Sequence, residues 1–201
     1  MKLYGHPYST CTRKVLLTLT ETNTPYELVV VDLMKGEQKQ QPHLSRQPFG
    51  VVPAIDDDGY KLFESRAIAR YINQKVRGPL VPTDLQEYGR MEQWISVETS
   101  YFAGPAMTFI FEHIFKRPQS DEALHNAGKA LDLAFEVMDA RLSVAPYFAG
   151  TQFSLADISF MPYVGYLMGT PLQERIARNG RVEAWWKRVS ERPSWKKIAG
   201  G

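Results

Sequence analysis

Two short segments in the first third of the chain carry groups that could hold a small acidic peptide. In the first, Val52 precedes Pro53 between two extended stretches, where a cis X–Pro bond can occur and turn the Val52 backbone outward. In the second, Glu64 and Ser65 stand where a helix is expected to begin, and the N–H groups of such an end attract a carboxylate. A backbone that pairs with an extended chain, near a helix end that takes an anion, predicts a site for a short acidic peptide.

The elements that must position these segments follow from the hydrophobic periodicity of residues 1–77. In chain order we predict a strand at 1–4, a helix from Ser9 to about 22, a buried strand at 26–31, a hairpin of strands at 54–55 and 60–63, and a helix from Ser65 to about 76. The order β-α-β followed by β-β-α indicates an α/β thioredoxin-like domain with a mixed sheet.

The remainder of the chain is predicted to be helical. Two prolines and a glycine near residue 78 break the pattern, which places a linker at 78–84 between a domain of residues 1–77 and an all-helical domain of residues 85–201. The helices predicted in this second domain cover 84–116, 121–143, 154–168 and 181–191. Ser154 and Asp157 have the spacing of a capping box, with an aspartate in the usual place of glutamate.

Composition excludes several functional classes. The 201 residues include 24 basic and 22 acidic side chains, which gives no electrostatic preference for nucleic acid or membrane surfaces. A single cysteine excludes an intramolecular disulfide and suits a reducing compartment. No apolar run approaches the roughly 20 residues that span a bilayer, and we see no secretory signal. Four histidines lack metal-ligand spacing. We therefore expect a cytoplasmic protein without a metal, nucleic-acid or membrane partner.

Six motifs follow one another along the chain. They are GHPYSTCTRKV at 5–15, QPFGVVPA at 47–54, LFESRAI at 62–68, FEHIFK at 111–116, YLMGTP at 166–171 and RPSW at 192–195. Together they resemble the glutathione S-transferases, most closely the phi class of plants and its bacterial relatives, over essentially the whole chain. The resemblance implies a thioredoxin-like domain followed by an all-α domain, glutathione as co-substrate with no further cofactor, and a homodimer with Phe49 at the interface.

In such an enzyme the thiol of glutathione must be ionised before it attacks an electrophile. Lowering a thiol pKa from about 8.5 to about 6.5 corresponds to roughly 2.7 kcal/mol of preferential stabilisation of the anion. One charge-assisted hydrogen bond supplies about 1.5–3 kcal/mol, and a helix N-terminus roughly 0.3–1 kcal/mol. A single hydroxyl therefore suffices, and the resemblance implies that Ser9 is this catalytic group. Without the resemblance, Ser9 would only cap the first helix.

Two neighbours of Ser9 leave alternatives open. Tyr8 carries a phenolic donor, although its place before the matched serine implies a wall of the electrophile pocket. Cys11 could form a mixed disulfide with glutathione, which would make the protein a glutathione-linked reductase or peroxidase. A buried, inert thiol is the expected outcome there. A non-catalytic ligand-binding module is the third alternative.

The resemblance assigns the contacts to the cysteinyl and γ-glutamyl parts of glutathione to four residues. Val52 pairs with the cysteinyl backbone, and Pro53 fixes its conformation. Ser65 binds the γ-glutamyl carboxylate, and Glu64 binds the ammonium group of the same residue.

The glycyl end of glutathione is where the chain departs from the family pattern. Lys39 resembles the cation that meets the glycyl carboxylate. Gln38 stands where histidine is common, and Val51 stands where glutamine or lysine is usual. We therefore expect a lower glutathione affinity, or compensation by other groups.

The electrophile pocket is expected to draw on the second domain. Phe111 and Phe115 are four residues apart, share a helix face and match phi-class positions that line this pocket; ordinary core packing is the alternative. The sequence thus predicts a detoxification enzyme that conjugates glutathione to hydrophobic electrophiles, with glutathione peroxidase activity as a side reaction.

Overall fold

A computed structural model describes residues 1–200 of the chain. Its N-terminal part contains a four-stranded sheet in the order β2-β1-β3-β4, in which β1 is parallel to β2 and antiparallel to β3, and β3 is antiparallel to β4. The elements of this part are β1 (Lys2–Gly5), α1 (Thr10–Glu21), β2 (Glu27–Val30), β3 (Ala54–Asp57), β4 (Tyr60–Phe63) and α2 (Ser65–Lys75).

The core of this part lies between the sheet and the two helices. Leu3 stands directly opposite Ile55 in the β1–β3 ladder, so both side chains point to the same face. They form one buried cluster with Leu19 of α1 and with Ile68 and Ile72 of α2, which are four residues apart and share a helix face. The predicted thioredoxin-like α/β arrangement is confirmed.

The strand predicted at 26–31 is shorter than expected and is not buried. β2 is an edge strand with β1 as its only neighbour in the sheet, and Glu27 and Val30 are exposed. β-branched residues favour a strand at the edge and in the centre of a sheet alike, so composition alone could not distinguish the two. The predicted hairpin between β3 and β4 is confirmed, and its two central residues, Asp58 and Gly59, both have positive φ, as a type I′ turn requires.

The long connection from β2 to β3 contains two short 3₁₀ turns, at Glu37–Lys39 and His43–Ser45, which the periodicity did not predict. The Val52–Pro53 peptide bond is cis, as expected, and the Gln41–Pro42 bond is also cis.

The described chain divides into two compact units, one of residues 1–81 with 193–200 and one of residues 82–192. The second unit is helical, with α3 (Leu85–Val97), α4 (Ala103–His113), α5 (Asp121–Leu142), α6 (Leu155–Leu167), α7 (Gln173–Arg178) and α8 (Gly180–Ser190). The helix predicted at 84–116 is interrupted by a π-helical turn at Glu98–Phe102. Helix α7 was not predicted.

The C-terminal segment groups with the first unit, which the sequence did not predict. Helix α9 (Pro193–Ala199) packs against α1, Ser194 hydrogen-bonds to Glu21, and Ile198 contacts the core of the sheet. Trp185, Trp186 and Trp195 are buried, so they pack in the interior and do not form an exposed aromatic patch.

The carboxylate of Asp157 is fully buried in the second unit and accepts hydrogen bonds from three residues. The predicted capping box is present: the Ser154 N–H donates to Asp157 Oδ2 at 2.9 Å. The Phe148 N–H and the Trp185 indole N–H both donate to Asp157 Oδ1, at 3.2 and 2.9 Å. Burial raises the pKa of Asp157 to about 6, although these hydrogen bonds act in the opposite direction. Among residues 1–200 there is no helix long and apolar enough to cross a membrane.

Candidate active site

The sheet register brings three separate segments of the first unit together at one edge of the sheet, the edge where β1 and β4 end and β3 begins. Tyr4, near the end of β1, pairs with Ala54 at the start of β3, which pairs in turn with Phe63 at the end of β4. Neighbouring strands lie about 4.8 Å apart. The chain leading to Ser9, the chain arriving from Val52 and the chain leaving β4 therefore meet within roughly 10 Å of one another at this edge.

The backbone of Val52 is available for pairing at this edge. Pro53 is buried, whereas Val52 is partly exposed. Neither the N–H nor the C=O of Val52 makes a hydrogen bond within residues 1–200. An unpaired backbone donor and acceptor on one residue can form two hydrogen bonds with an extended peptide, in the manner of an added strand.

The residue before Val52 is held by two side chains that were not among the site residues predicted from the sequence. The carbonyl oxygen of Val51 lies 2.7 Å from His43 Nε2, and the Val51 N–H points to Gln47 Oε1 at 3.4 Å. Because these bonds join side chains to backbone, they leave no periodic signal in a sequence. The one indication of these contacts in the sequence was that a histidine and a glutamine stand a few residues before the Val-Pro segment.

The start of α2 presents donor groups that suit an anion. Glu64 precedes the helix with φ 72° and ψ 108°, and its side chain does not cap the helix N–H groups. Ser65 is 3% exposed, and its hydroxyl makes no hydrogen bond within the described residues. Unpaired N–H groups at an 11-residue helix, together with this hydroxyl, are donors suited to a carboxylate.

The 3₁₀ turn at Glu37–Lys39 touches the loop before Val52. Lys39 Nζ donates to the Phe49 carbonyl at 3.1 Å, which leaves the other ammonium hydrogens available to a ligand. Gly50 has φ 61°, and a Cβ there would lie 2.7 Å from Lys39 Cδ, so only glycine allows this approach. The Oε1 atom of Gln38 is buried without a partner among the described residues.

Ser9 stands at the N-cap of α1. Its Oγ accepts a hydrogen bond from the Thr12 N–H at 3.3 Å, and it makes no other hydrogen bond within residues 1–200. The capping role expected from the sequence is therefore present. Since the oxygen acts only as an acceptor, the hydroxyl hydrogen remains able to donate to an anion.

The neighbours of Ser9 differ in exposure. The Tyr8 ring is half exposed and lies 5.5 Å from the His6 ring and 5.9 Å from the Arg13 guanidinium, measured to ring centroids. Cys11 is partly exposed, so the expectation of a buried thiol was wrong. It lies in the first turn of α1, between the buried residues Thr10 and Thr12.

The predicted aromatic pair of the second unit forms part of a larger cluster. The rings of Phe111 and Phe115 lie 6.3 Å apart, and Phe115 meets Tyr166 edge to face at 5.6 Å. Both phenylalanines are partly exposed, which differs from ordinary core packing. Tyr166 belongs to the YLMGTP motif, but it was not among the site residues predicted from the sequence.

No cluster of metal-binding side chains is found in the part of the chain that the structure describes. The site consists of hydrogen-bond donors, a lysine ammonium and exposed backbone, and each of these groups suits a charged peptide.

Comparisons with known proteins identify the family. Residues 1–74 match the family model of the glutathione S-transferase N-terminal domain, and residues 85–193 match that of the C-terminal domain. The chain belongs to the glutathione S-transferases. It is similar to glutathione S-transferase F12 of Arabidopsis thaliana, with 37% identity over 98% of this chain and 96% of that protein. Its relatives are plant phi-class enzymes, and the chain is accordingly a glutathione transferase.

Solved structures of the same class have the same fold. Glutathione transferase F7 from Populus trichocarpa superimposes with a TM-score of 0.93 at 38% identity, over 99% of this chain and 97% of that one. Glutathione S-transferase I from maize, solved with an atrazine glutathione conjugate, gives a TM-score of 0.89 at 32% identity, over 99% and 96% of the two chains.

Proposed function

We propose that this transferase conjugates the glutathione thiolate to hydrophobic electrophiles, with the Ser9 hydroxyl donating to the thiolate. The observation that carries the proposal is the sheet register, which brings the segments of Ser9, Val52 and Glu64 to one edge. The Ser9 hydroxyl hydrogen has no acceptor within residues 1–200. The thiol proton is lost to solvent before the attack. The thiolate sulfur then forms a C–S bond to the electrophilic carbon, and the electron pair of the bond broken at that carbon departs with a leaving group or, in an addition, moves to the neighbouring atom, which takes a proton from solvent.

In this proposal glutathione lies along this edge in one orientation, with each of its polar groups beside a suitable partner. Its cysteinyl backbone pairs with Val52, and its γ-glutamyl carboxylate accepts from Ser65 and the first N–H groups of α2. The γ-glutamyl ammonium meets Glu64, and the glycyl carboxylate meets Lys39. No cofactor is required, because proton loss and carbon–sulfur bond formation need only a stabilised thiolate.

The electrophile binds to aromatic side chains in this proposal. Tyr8, Phe111 and Phe115 are the residues that we assign to it, as the family resemblance implies, and each of them is at least partly exposed. The maize relative solved with an atrazine glutathione conjugate supports aromatic, hydrophobic electrophiles as the substrate class. We further propose a homodimeric, cytoplasmic enzyme with a role in detoxification.

The test compares two variants of neighbouring residues. Ser9→Ala removes a hydrogen bond of about 1.5–3 kcal/mol to the charged thiolate. Conjugation at neutral pH should then fall about ten- to a hundredfold in kcat/KM, with a smaller change in glutathione affinity by calorimetry. Ser9→Thr should retain activity because it keeps the hydroxyl. Cys11→Ser should conjugate within a few fold of the parent enzyme.

The same variants distinguish conjugation from thiol chemistry at Cys11. A glutathione-linked reductase would lose disulfide exchange in Cys11→Ser and be little affected by Ser9→Ala. Full conjugating activity in Ser9→Ala would contradict the proposed role of Ser9 and make the Tyr8 phenol the next group to test.

A further inference from the structure

We infer that His43 is a positioning residue that orients the Val52 N–H toward the peptide backbone of glutathione, an inference that rests on the proposed function. The Nε2 atom of His43 lies 2.7 Å from the carbonyl oxygen of Val51. Because a carbonyl oxygen can only accept, Nε2 must carry the hydrogen of this bond. His43 is 3% exposed, so its ring is shielded from solvent.

The covalent geometry of one peptide unit connects His43 to the ligand site. The Val51 C=O and the Val52 N–H belong to the same planar peptide unit. This unit is trans, because Gln41–Pro42 and Val52–Pro53 are the cis bonds among the described residues. In a trans unit the C=O and the N–H point in opposite directions. A hydrogen bond that fixes the C=O on the His43 side therefore directs the Val52 N–H away from His43 and leaves it free for a ligand.

A second side chain from the same turn holds the other backbone group of Val51. Gln47 is 1% exposed, and its Oε1 accepts from the Val51 N–H at 3.4 Å. The Gln47 N–H in turn donates to the His43 carbonyl at 3.0 Å, so one helical turn carries both side chains on one side. The Val51 side chain is 47% exposed and contributes little packing, so its place depends on these backbone contacts.

This arrangement accounts for one departure from the family pattern. Valine at position 51 has no polar side chain to offer glutathione. The hydrogen bonds to His43 and Gln47 instead restrain the Val51 backbone, which reduces the conformational entropy that the loop loses when it pairs with a peptide.

The experiment measures glutathione binding and steady-state kinetics in three substitutions of His43. His43→Phe keeps an aromatic ring and removes the donor, and should raise the glutathione Kd and KM about three- to tenfold, with kcat at saturating glutathione within about twofold. His43→Gln should keep the glutathione affinity of the parent enzyme, because the amide nitrogen of glutamine can reach the position of Nε2. His43→Asn should not, because its shorter side chain cannot, and it replaces His43→Phe if that variant does not fold.

A matched control comes from the same turn. Ser45 Oγ donates to the Pro42 carbonyl at 2.7 Å and makes no hydrogen bond to Val51 among the described residues. Ser45→Ala removes a hydrogen bond from this loop and should leave Kd, KM and kcat unchanged. Equal losses of affinity in Ser45→Ala and His43→Phe would show that general loop stability is responsible, and would overturn the inference.

A change in the ligand tests the link through Val52 directly. A glutathione analogue with a methylene in place of the cysteinyl carbonyl cannot accept from the Val52 N–H. The parent enzyme should bind it less tightly than glutathione, whereas His43→Phe should discriminate between the two ligands about three- to tenfold less. Undiminished discrimination in His43→Phe would overturn the inference. A parent enzyme that binds no glutathione and conjugates none would instead refute the proposed function.

Discussion

Glu64 combines an unfavourable backbone conformation with a role in the proposed site. Its φ of 72° and ψ of 108° are unfavourable for a residue with a side chain and cost about 1–3 kcal/mol. We predict that Glu64→Gly raises the free energy of unfolding by roughly 1 kcal/mol while it weakens glutathione binding, because the carboxylate that meets the ammonium group is lost. Chemical denaturation and calorimetry measure the two effects.

Two controls separate the effects of backbone and charge at Glu64. Glu64→Gln keeps the strained backbone and removes the charge, so affinity should fall without a gain in stability. Asp58→Gly also relieves a positive φ, of 54°, but lies in the hairpin turn at the opposite end of β3, so it should leave affinity unchanged. An unchanged glutathione affinity in both Glu64 variants would contradict the assigned contact.

Residues with a local signature could be predicted from the sequence, whereas those that act through distant backbone could not. A serine before an apolar helix predicts a cap, and Ser9 is one. An X–Pro bond between extended segments suggests a cis bond, and Val52–Pro53 is cis. His43 and Gln47 bind the backbone of a residue four to eight positions later through irregular turns, and irregular turns have no period to detect.

Asp157, in the first turn of α6, is expected to make the free energy of unfolding depend on pH. Asp157 is fully buried, and burial raises its pKa to about 6 from an ordinary 3.8. A group whose pKa is raised on folding contributes stability that is present below its unfolded pKa and is lost as pH rises through its folded pKa. The unfolding free energy that Asp157 contributes should therefore decrease between about pH 4 and pH 6.5, by about 3 kcal/mol at most.

The substitution Asp157→Asn isolates this contribution because the amide does not titrate. In the parent protein both carboxyl oxygens of Asp157 accept from N–H groups. In the variant one of these oxygens is replaced by an NH₂ group, which cannot accept from them, so the variant should be less stable than the parent at pH 4. The difference should narrow toward pH 7, as judged from urea denaturation at each pH. A difference that widens with rising pH would show that the ionised carboxylate, with its hydrogen bonds from Ser154, Phe148 and Trp185, is the more stable native form.

Elements with a strong period were predicted, and those fixed by tertiary context were not. The sheet, α1, α2 and the capping box at Ser154 follow from local patterns. The position of β2 at the sheet edge, the π-helical turn at Glu98–Phe102 and the packing of α9 on α1 depend on residues far apart in the chain. Contacts of that kind are absent from any single window of the sequence.

At the scale of the whole molecule, an exposed aromatic side chain supports a dimer. Phe49 is 69% exposed on a loop, beside Phe63 at a ring distance of 6.0 Å. We predict a two-fold dimer that buries Phe49, so light scattering at micromolar concentration should give twice the 22.9 kDa of one chain. Phe49→Ala should shift the equilibrium toward monomer.

The matched control for this prediction is Met34→Ala. Met34 is 87% exposed on another loop of the same unit, and its truncation should leave the mass unchanged. A mass of 22.9 kDa for the parent enzyme would exclude the dimer under these conditions.

The Ser9 hydroxyl is proposed to stabilise the glutathione thiolate, and an ultraviolet titration of bound glutathione measures that stabilisation. In the parent enzyme the thiolate absorbance should appear well below the free thiol pKa of about 8.5. In Ser9→Ala the midpoint should rise by about one to two pH units, which corresponds to one charge-assisted hydrogen bond. The same midpoint in both proteins, with glutathione bound in each, would contradict the claim.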